Sequence, residues 1–338
     1  MESPQLPARR SSWLLRAVTI VLGVCLLLVL ALMWWWDTEP DRFDAVKVTQ
    51  ARATARQQPV VVGSATTSAV IESARVMLEK RGGYLSNDKL PPGVFMDNIP
   101  NWEFGVVTAL RDMTRALRNE FSRSQTQSVE DKDLQEAEPL FSSPNDRWLL
   151  PSSESQYRKA IERIDSYATR LADNDQDDAQ FYARADNLAE FLSVVSTRMG
   201  SLSQRLSASV GQLRIDTDLA NDASAQQSKP AAESRIVRTP WTQIDDNFYE
   251  ARGYTWALRE QLEAIRVDFG PVLRDKNAMI SLEQVIREIE EAQKSLSSPI
   301  VLNGSPFGFF GNHSLVLANY ISRANAALIE LRDLLRRG

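Results

Sequence analysis

This sequence predicts an all-α protein: one N-terminal transmembrane helix followed by a bundle of long antiparallel helices. Three observations carry that prediction. Residues 17–36 form an unbroken apolar run with no charge in it. Beyond residue 66, apolar residues recur at intervals of three and four, the period of a helix. Two polar connectors, 122–152 and 216–240, divide the periodic stretches.

The apolar run comes first. A helix needs about 20 apolar residues to cross a hydrocarbon core, and inside lipid it satisfies its own backbone groups. Arg9, Arg10 and Arg16 precede the run, and Asp37, Glu39 and Asp41 follow it. Positive flanks stay in the cytoplasm. Residues 1–16 are therefore expected as a cytoplasmic tail, 17–36 as the anchor, and the rest of the chain on the far side. Trp34, Trp35 and Trp36 close the run, as interfacial indoles do. A cleaved signal peptide would have a shorter apolar core and small residues at its cut site.

Outside the run and its flank the chain carries 36 basic and 43 acidic residues. That balance repels nucleic acid and anionic surfaces. The sole cysteine, Cys25, lies within the apolar run, so the outer part has no disulfide and no thiolate chemistry. No cofactor or metal is expected, and the implied partners are the membrane and other envelope proteins.

The stretch 37–65 reads as a stalk without strong periodicity, with Val60, Val61 and Val62 as a short strand or packing contact. Residues 66–338 read as a helical domain, either single or split into sub-bundles at 66–215 and 240–338. Its first helix carries Val70, Ala74 and Met77, and Gly82-Gly83 stops it. Asn101 is expected to cap the next helix, with Val106, Leu110, Met113, Leu117 and Phe121 on one face. A short helix is expected near 131–138, then one marked by Tyr157, Ile161, Ile164 and Leu171.

A longer seam runs from Phe181 through Leu192 and Leu206 to Leu213. Further helices follow from Ile244 to Phe269, closed by Gly270-Pro271, then from Leu282 to Leu296 and from Leu317 to Leu335. Helices joined by short polar turns lie antiparallel.

Several stretches carry a family likeness: Gly82-Gly83-Tyr84-Leu85-Ser86-Asn87-Asp88, Pro100-Asn101-Trp102-Glu103-Phe104-Gly105, Ala183-Arg184-Ala185-Asp186-Asn187-Leu188, and the block 312–327. The chain resembles a family of single-pass inner-membrane proteins from gammaproteobacteria, catalogued as a domain of unknown function. The likeness covers nearly the whole chain. It implies a bacterial inner-membrane protein with a periplasmic domain, and it implies no activity or catalytic residue.

Candidate chemistry is sparse. Asp173, Asp175 and Asp177 alternate like the first ligands of a calcium loop, but that loop needs Gly sixth and Glu twelfth, and here those are Asp178 and Arg184. A solvated acidic turn before a helix is the better reading. His313 lies near Ser305 and Ser314, yet no Gly-x-Ser-x-Gly elbow, P-loop or His-Glu-x-x-His occurs. Asn312 or Ser314 is expected to cap the last helix, with His313 in its first turn. Glu103 and Asp97 are weak candidates for a glycosidase pair, which needs two carboxylates facing one sugar.

The candidate binding residues are aromatic: Tyr84 and Trp102 in demanding loops, and Phe307, Phe309 and Phe310 with His313 in a glycine-rich connector. Each either packs into the bundle or presents a contact patch. The expected function is a non-catalytic envelope scaffold or interaction module. The alternatives are a glycan-acting enzyme, which would use carboxylates or His313, and a lipid-binding carrier with an apolar groove.

Overall fold

The computed structural model describes residues 10–124, 129–173, 178–215, 234–298 and 300–337. Among these residues eleven α-helices make up nearly all the regular structure, so the fold is all-α. The tail 1–9, Asp175 and Asp177 of the acidic turn, and residues 216–233 of the second connector lie outside the described residues.

The first helix, α1 (Arg10–Trp36), contains a 24-residue span, Trp13–Trp36, with mean hydropathy 2.8 and none of it buried by the rest of the protein. Its length and composition suit a membrane anchor or a signal sequence.

The expected stalk is a helix instead. Asp44 caps α2 (Ala45–Arg56) by accepting from the backbone N–H groups of Val46 and Lys47 at 3.0 and 3.1 Å. Ala45 packs with Ala65, Ala69 and Ala264 in a cluster of small side chains. Arg52 and Arg56 both pair with Asp165, tying α2 to α6 (Ser153–Leu171). Val60 and Val62 lie exposed in a loop.

At the centre lie α3 (Ser64–Glu79), α4 (Asn98–Ala116) and α8 (Ile244–Asp268). The α4–α8 pair runs in the same direction, against the antiparallel expectation. Asn101 donates to Asp246 at their beginnings, and Gln261 donates to the Ala109 carbonyl further on. Two glycines let the backbones touch. A Cβ on Gly253 would sit 1.9 Å from the Trp102 carbonyl oxygen, and one on Gly105 would sit 2.1 Å from that of Glu250.

Around this centre the pairs of α5 (Lys132–Phe141) with α6, α7 (Ala185–Ser207) with α11 (His313–Arg336) and α10 (Met279–Ala292) with α8 are antiparallel, whereas α2 runs parallel to α6. Helix α5 lies on α6, joined by Arg170 to Asp131 and Asp133. Helix α7 meets α11 where Ser196 contacts Asn325 and Ser203 the Ala318 carbonyl. Helix α10 returns along α8 after the short α9 (Gly270–Asp275). The expected sub-bundles interleave: α4 packs on α8 and α7 on α11, and one cluster of buried side chains draws on both halves.

Several boundaries differ from the periodicity. Asp97, not Asn101, caps α4, by accepting from the Asn98 N–H. The α7 seam ends at Ser207. Gly211, at φ 89°, then turns the chain into β1 (Gln212–Ile215), which pairs antiparallel with β2 (Ser234–Val237). Leu213 therefore belongs to a strand, and the second connector starts and finishes in a two-stranded ribbon. Helix α3 ends at Glu79, ahead of the glycines; Gly82 and Gly83, at φ 82° and 74°, shape the turn that follows.

Candidate functional site

The helices sort their ends into two groups. At one end, here called proximal, α1 joins the domain. The starts of α4, α6, α8 and α11 and the ends of α3, α7 and α10 gather there. At the distal end α2, α4, α6 and α8 finish.

The junction with α1 is tightly built. The Trp36 ring lies over Gly82, where a Cβ would come within 2.7 Å of it. Asn98 donates to the Asp37 carboxylate at 3.2 Å. Arg252, 5% exposed on α8, donates through Nε and Nη2 to the two oxygens of Glu39, both at 2.5 Å. Its Nη1 donates to the carbonyls of Ala292 and Lys294 at 3.1 and 3.0 Å. One guanidinium thus satisfies the exposed carbonyls at the end of α10 and clamps the chain three residues beyond α1. Arg42 pairs with Glu290 at 3.3 Å. Under this clamp Trp256 meets Trp102 edge-on at 5.2 Å and Phe43 at 5.9 Å.

These contacts frame a cleft of about 580 Å³ between α1 and the domain. Trp34 and Trp35 form one wall; Ile99, Trp256 and Leu296 add apolar surface, and Arg42, Arg81, Tyr249 and Gln293 add polar groups. Burial, reinforced by Asp37 and Glu39, raises the Tyr249 hydroxyl above its ordinary range, so it is a neutral donor. The lining suits an amphipathic ligand with a polar head.

The sequence-derived candidates divide. Tyr84 and Trp102 are packed inside: Tyr84 is 2% exposed and donates to the Asn145 carbonyl at 2.8 Å, and Trp102 has no exposed surface. Phe307, Phe309 and Phe310 stand out in solvent. His313 is half-buried in the first turn of α11, where Asn312 caps by accepting from the Leu315 N–H at 2.9 Å. The His313 Nδ1 accepts from the Leu302 N–H at 3.1 Å.

Glu103 is fully buried and receives Lys80 at 2.5 Å, the Leu85 and Ser86 N–H groups at 2.8 Å and the Ser86 hydroxyl at 2.5 Å. It fixes the loop after α3 and does not face Asp97 across a cleft. Asp178, at the end of the acidic turn, pairs with Arg170 of α6 at 3.0 Å, and Arg184, at the twelfth place of the calcium pattern, pairs with Asp186. Sequence reasoning missed Glu39 and Arg252. The available signal was a charge set in the middle of the apolar α8 face, between Ala251 and Thr255.

Fold and junction define an all-α protein that carries one N-terminal helix long and apolar enough to span a membrane. The chain belongs to the family described as "Uncharacterized protein conserved in bacteria (DUF2333)", whose model matches residues 8–338. No curated protein and no solved structure matches it.

Proposed function

We propose that this protein is a single-pass bacterial inner-membrane protein whose periplasmic helical domain serves as a non-catalytic scaffold or interaction module of the envelope. The observation that carries the reading is the Arg252–Glu39 clamp directly after the apolar helix. A signal sequence is discarded, so its last residues have no reason to be built into the fold. Here Trp36, Asp37 and Glu39 are structural parts of the domain, which favours a retained anchor. The three arginines before the apolar run favour a cytoplasmic N-terminus.

Three buried carboxylates with protein partners favour a structural role. Glu103 is held by Lys80, Asp268 by the N–H and hydroxyl of Thr66 at 2.7 Å, and Asp112 by Arg198 and Tyr254. Fusing alkaline phosphatase after residue 338 tests placement: activity is expected, and an inactive fusion with a fluorescent cytosolic counterpart overturns it. Crosslinking in intact membranes followed by affinity capture tests the scaffold. A reproducible envelope partner is expected, and peptidoglycan cleavage by the purified protein overturns it.

A further inference from the structure

Among the described residues, Phe95, Trp148, Trp241, Phe307, Phe309 and Phe310 are the exposed phenylalanines and tryptophans outside α1, and all six lie in connections between α-helices at the proximal end. Phe95 lies between Gly82, which touches Trp36, and Asn98, which holds Asp37. The loop of Trp148 is tied to the neighbouring one, because Tyr84 and Asn87 donate to the carbonyls of Asn145 and Arg147. Trp241 precedes the first turn of α8, which meets α4 at Asn101. The three phenylalanines top the connector into α11, whose His313 ring lies 6.4 Å from Phe248 on α8. Among the described residues, the large apolar side chains exposed toward the distal end are aliphatic, such as Val60, Val267 and Ile280.

The phenylalanine loop is built to hold these rings out. Asn303 and Asn312 form a bridge at its base, and Asn312 Nδ2 donates at 2.8 Å to both Asn303 Oδ1 and the Gly304 carbonyl. The backbone is so close that a Cβ on Gly304 would sit 2.1 Å from the Phe310 carbonyl oxygen. Above this base Phe307 and Phe309 are essentially fully exposed, at 102% and 98%. Exposed aromatic clusters mark contact with a partner or a membrane. Aromatic rings favour the bilayer interface, and the end that carries these six is the end from which the apolar helix leaves.

We propose that the proximal loops form a second membrane contact, an aromatic platform that seats the domain on the lipid surface around its anchor. The occupant is the bilayer interface itself. The platform rests on the anchored reading above, so the test separates the two. The full-length protein is labelled with an environment-sensitive fluorophore at Cys25, or, in a Cys25→Ser background, at Phe309→Cys, Trp148→Cys or Ile280→Cys. Each is reconstituted in phosphatidylethanolamine–phosphatidylglycerol vesicles containing lipid brominated near the headgroup or deep in the chain.

The expected result is deep quenching at Cys25, shallow quenching with a blue shift at 309 and 148, and none at 280. Quenching at Cys25 with none at 309 and 148 leaves the anchor standing and overturns the platform; the tips would then face water, as a protein-docking surface does. No quenching at Cys25 overturns the anchor and the platform together. Quenching at 280 equal to that at 309 also overturns the platform, because it shows non-specific contact. All three engineered positions are exposed side chains outside the core, so misfolding does not decide the outcome.

Discussion

Arg252 and Glu39 form a two-pronged ion pair that couples the fold to the helix preceding it. The same guanidinium closes the end of α10, so one side chain joins α8, α10 and the segment that follows α1. The segment that leaves α1 is thus fastened to the domain within three residues of the helix end.

Replacing Arg252 with Ala strands Glu39 and the carbonyls of Ala292 and Lys294 in a poorly hydrated site. Breaking a buried pair from one side costs about 3–5 kcal/mol. Glu39→Gln keeps an acceptor for one of the bonds and is expected to cost about 1–2 kcal/mol. Urea unfolding of the detergent-solubilised protein, followed by circular dichroism, checks both. Equal losses in the two variants would contradict the assignment of extra duties to Arg252.

The Gly253 contact gives a prediction of opposite sign to helix propensity. In an exposed helix, Gly→Ala gains about 1 kcal/mol. At Gly253 the added methyl meets backbone, the Trp102 carbonyl, and no side chain is there to move aside. Forcing the helices apart costs about 1–3 kcal/mol, so Gly253→Ala is expected to lower the urea midpoint. Gly200→Ala is the control. Its new Cβ would meet the Asn325 amide at an ordinary 3.7 Å, and no loss is expected.

Large apolar residues made the long helices legible, because their spacing reports a buried face directly. The periodicity failed where packing uses something else. Helix α2 buries Ala45 and Thr49 against other small residues, and small side chains leave no apolar stripe to read. Leu213 falls in step with the α7 seam, yet Gly211 has already turned the chain into a strand. The parallel α4–α8 pair was hidden for a further reason. Its determinants, Gly105 and Gly253, act through the absence of a side chain, and their meaning depends on which backbone faces them.

The candidate site was half legible. The aromatic loops announced themselves by composition, but sequence could not tell Tyr84 and Trp102, which pack, from Phe307 and Phe309, which do not. That distinction depends on whether a neighbouring element covers the ring. The clamp was invisible because Glu39 and Arg252 are 213 residues apart.

Glu260 gives the protein a pH dependence of defined sign. Its side chain is fully buried beside Arg259, and burial pushes its pKa up to about 7 from an ordinary 4.5. The folded state therefore holds a proton that the unfolded state has released. This contribution to stability is complete below pH 4.5 and is lost as pH rises through 7, with a ceiling of about 3 kcal/mol. Glu260→Gln removes it. The variant is expected to exceed the parent in stability at pH 8 and to show no advantage at pH 4.5. Urea midpoints at the two values measure the difference, and a constant offset between the proteins would refute the assignment.

His313 ties the base of the phenylalanine loop in a pH-dependent way. Its Nδ1 accepts from the Leu302 N–H, while the His313 backbone N–H donates to the Leu302 carbonyl at 2.9 Å independently of the ring. Partial burial depresses the imidazole pKa below 6.5. Once protonated, the ring carries hydrogens on both nitrogens and cannot accept. The tie therefore holds above pH 6.5 and is lost as pH falls through the depressed folded value. Hydrogen exchange at Leu302, corrected for intrinsic rate, is expected to accelerate on acidification in the parent protein. In His313→Ala it should be fast at both ends of the range, while the helix beyond stays protected because Asn312 still caps it. Protection at Leu302 that survives in the alanine variant would show that backbone bonds and the Asn303–Asn312 bridge hold the loop without the imidazole.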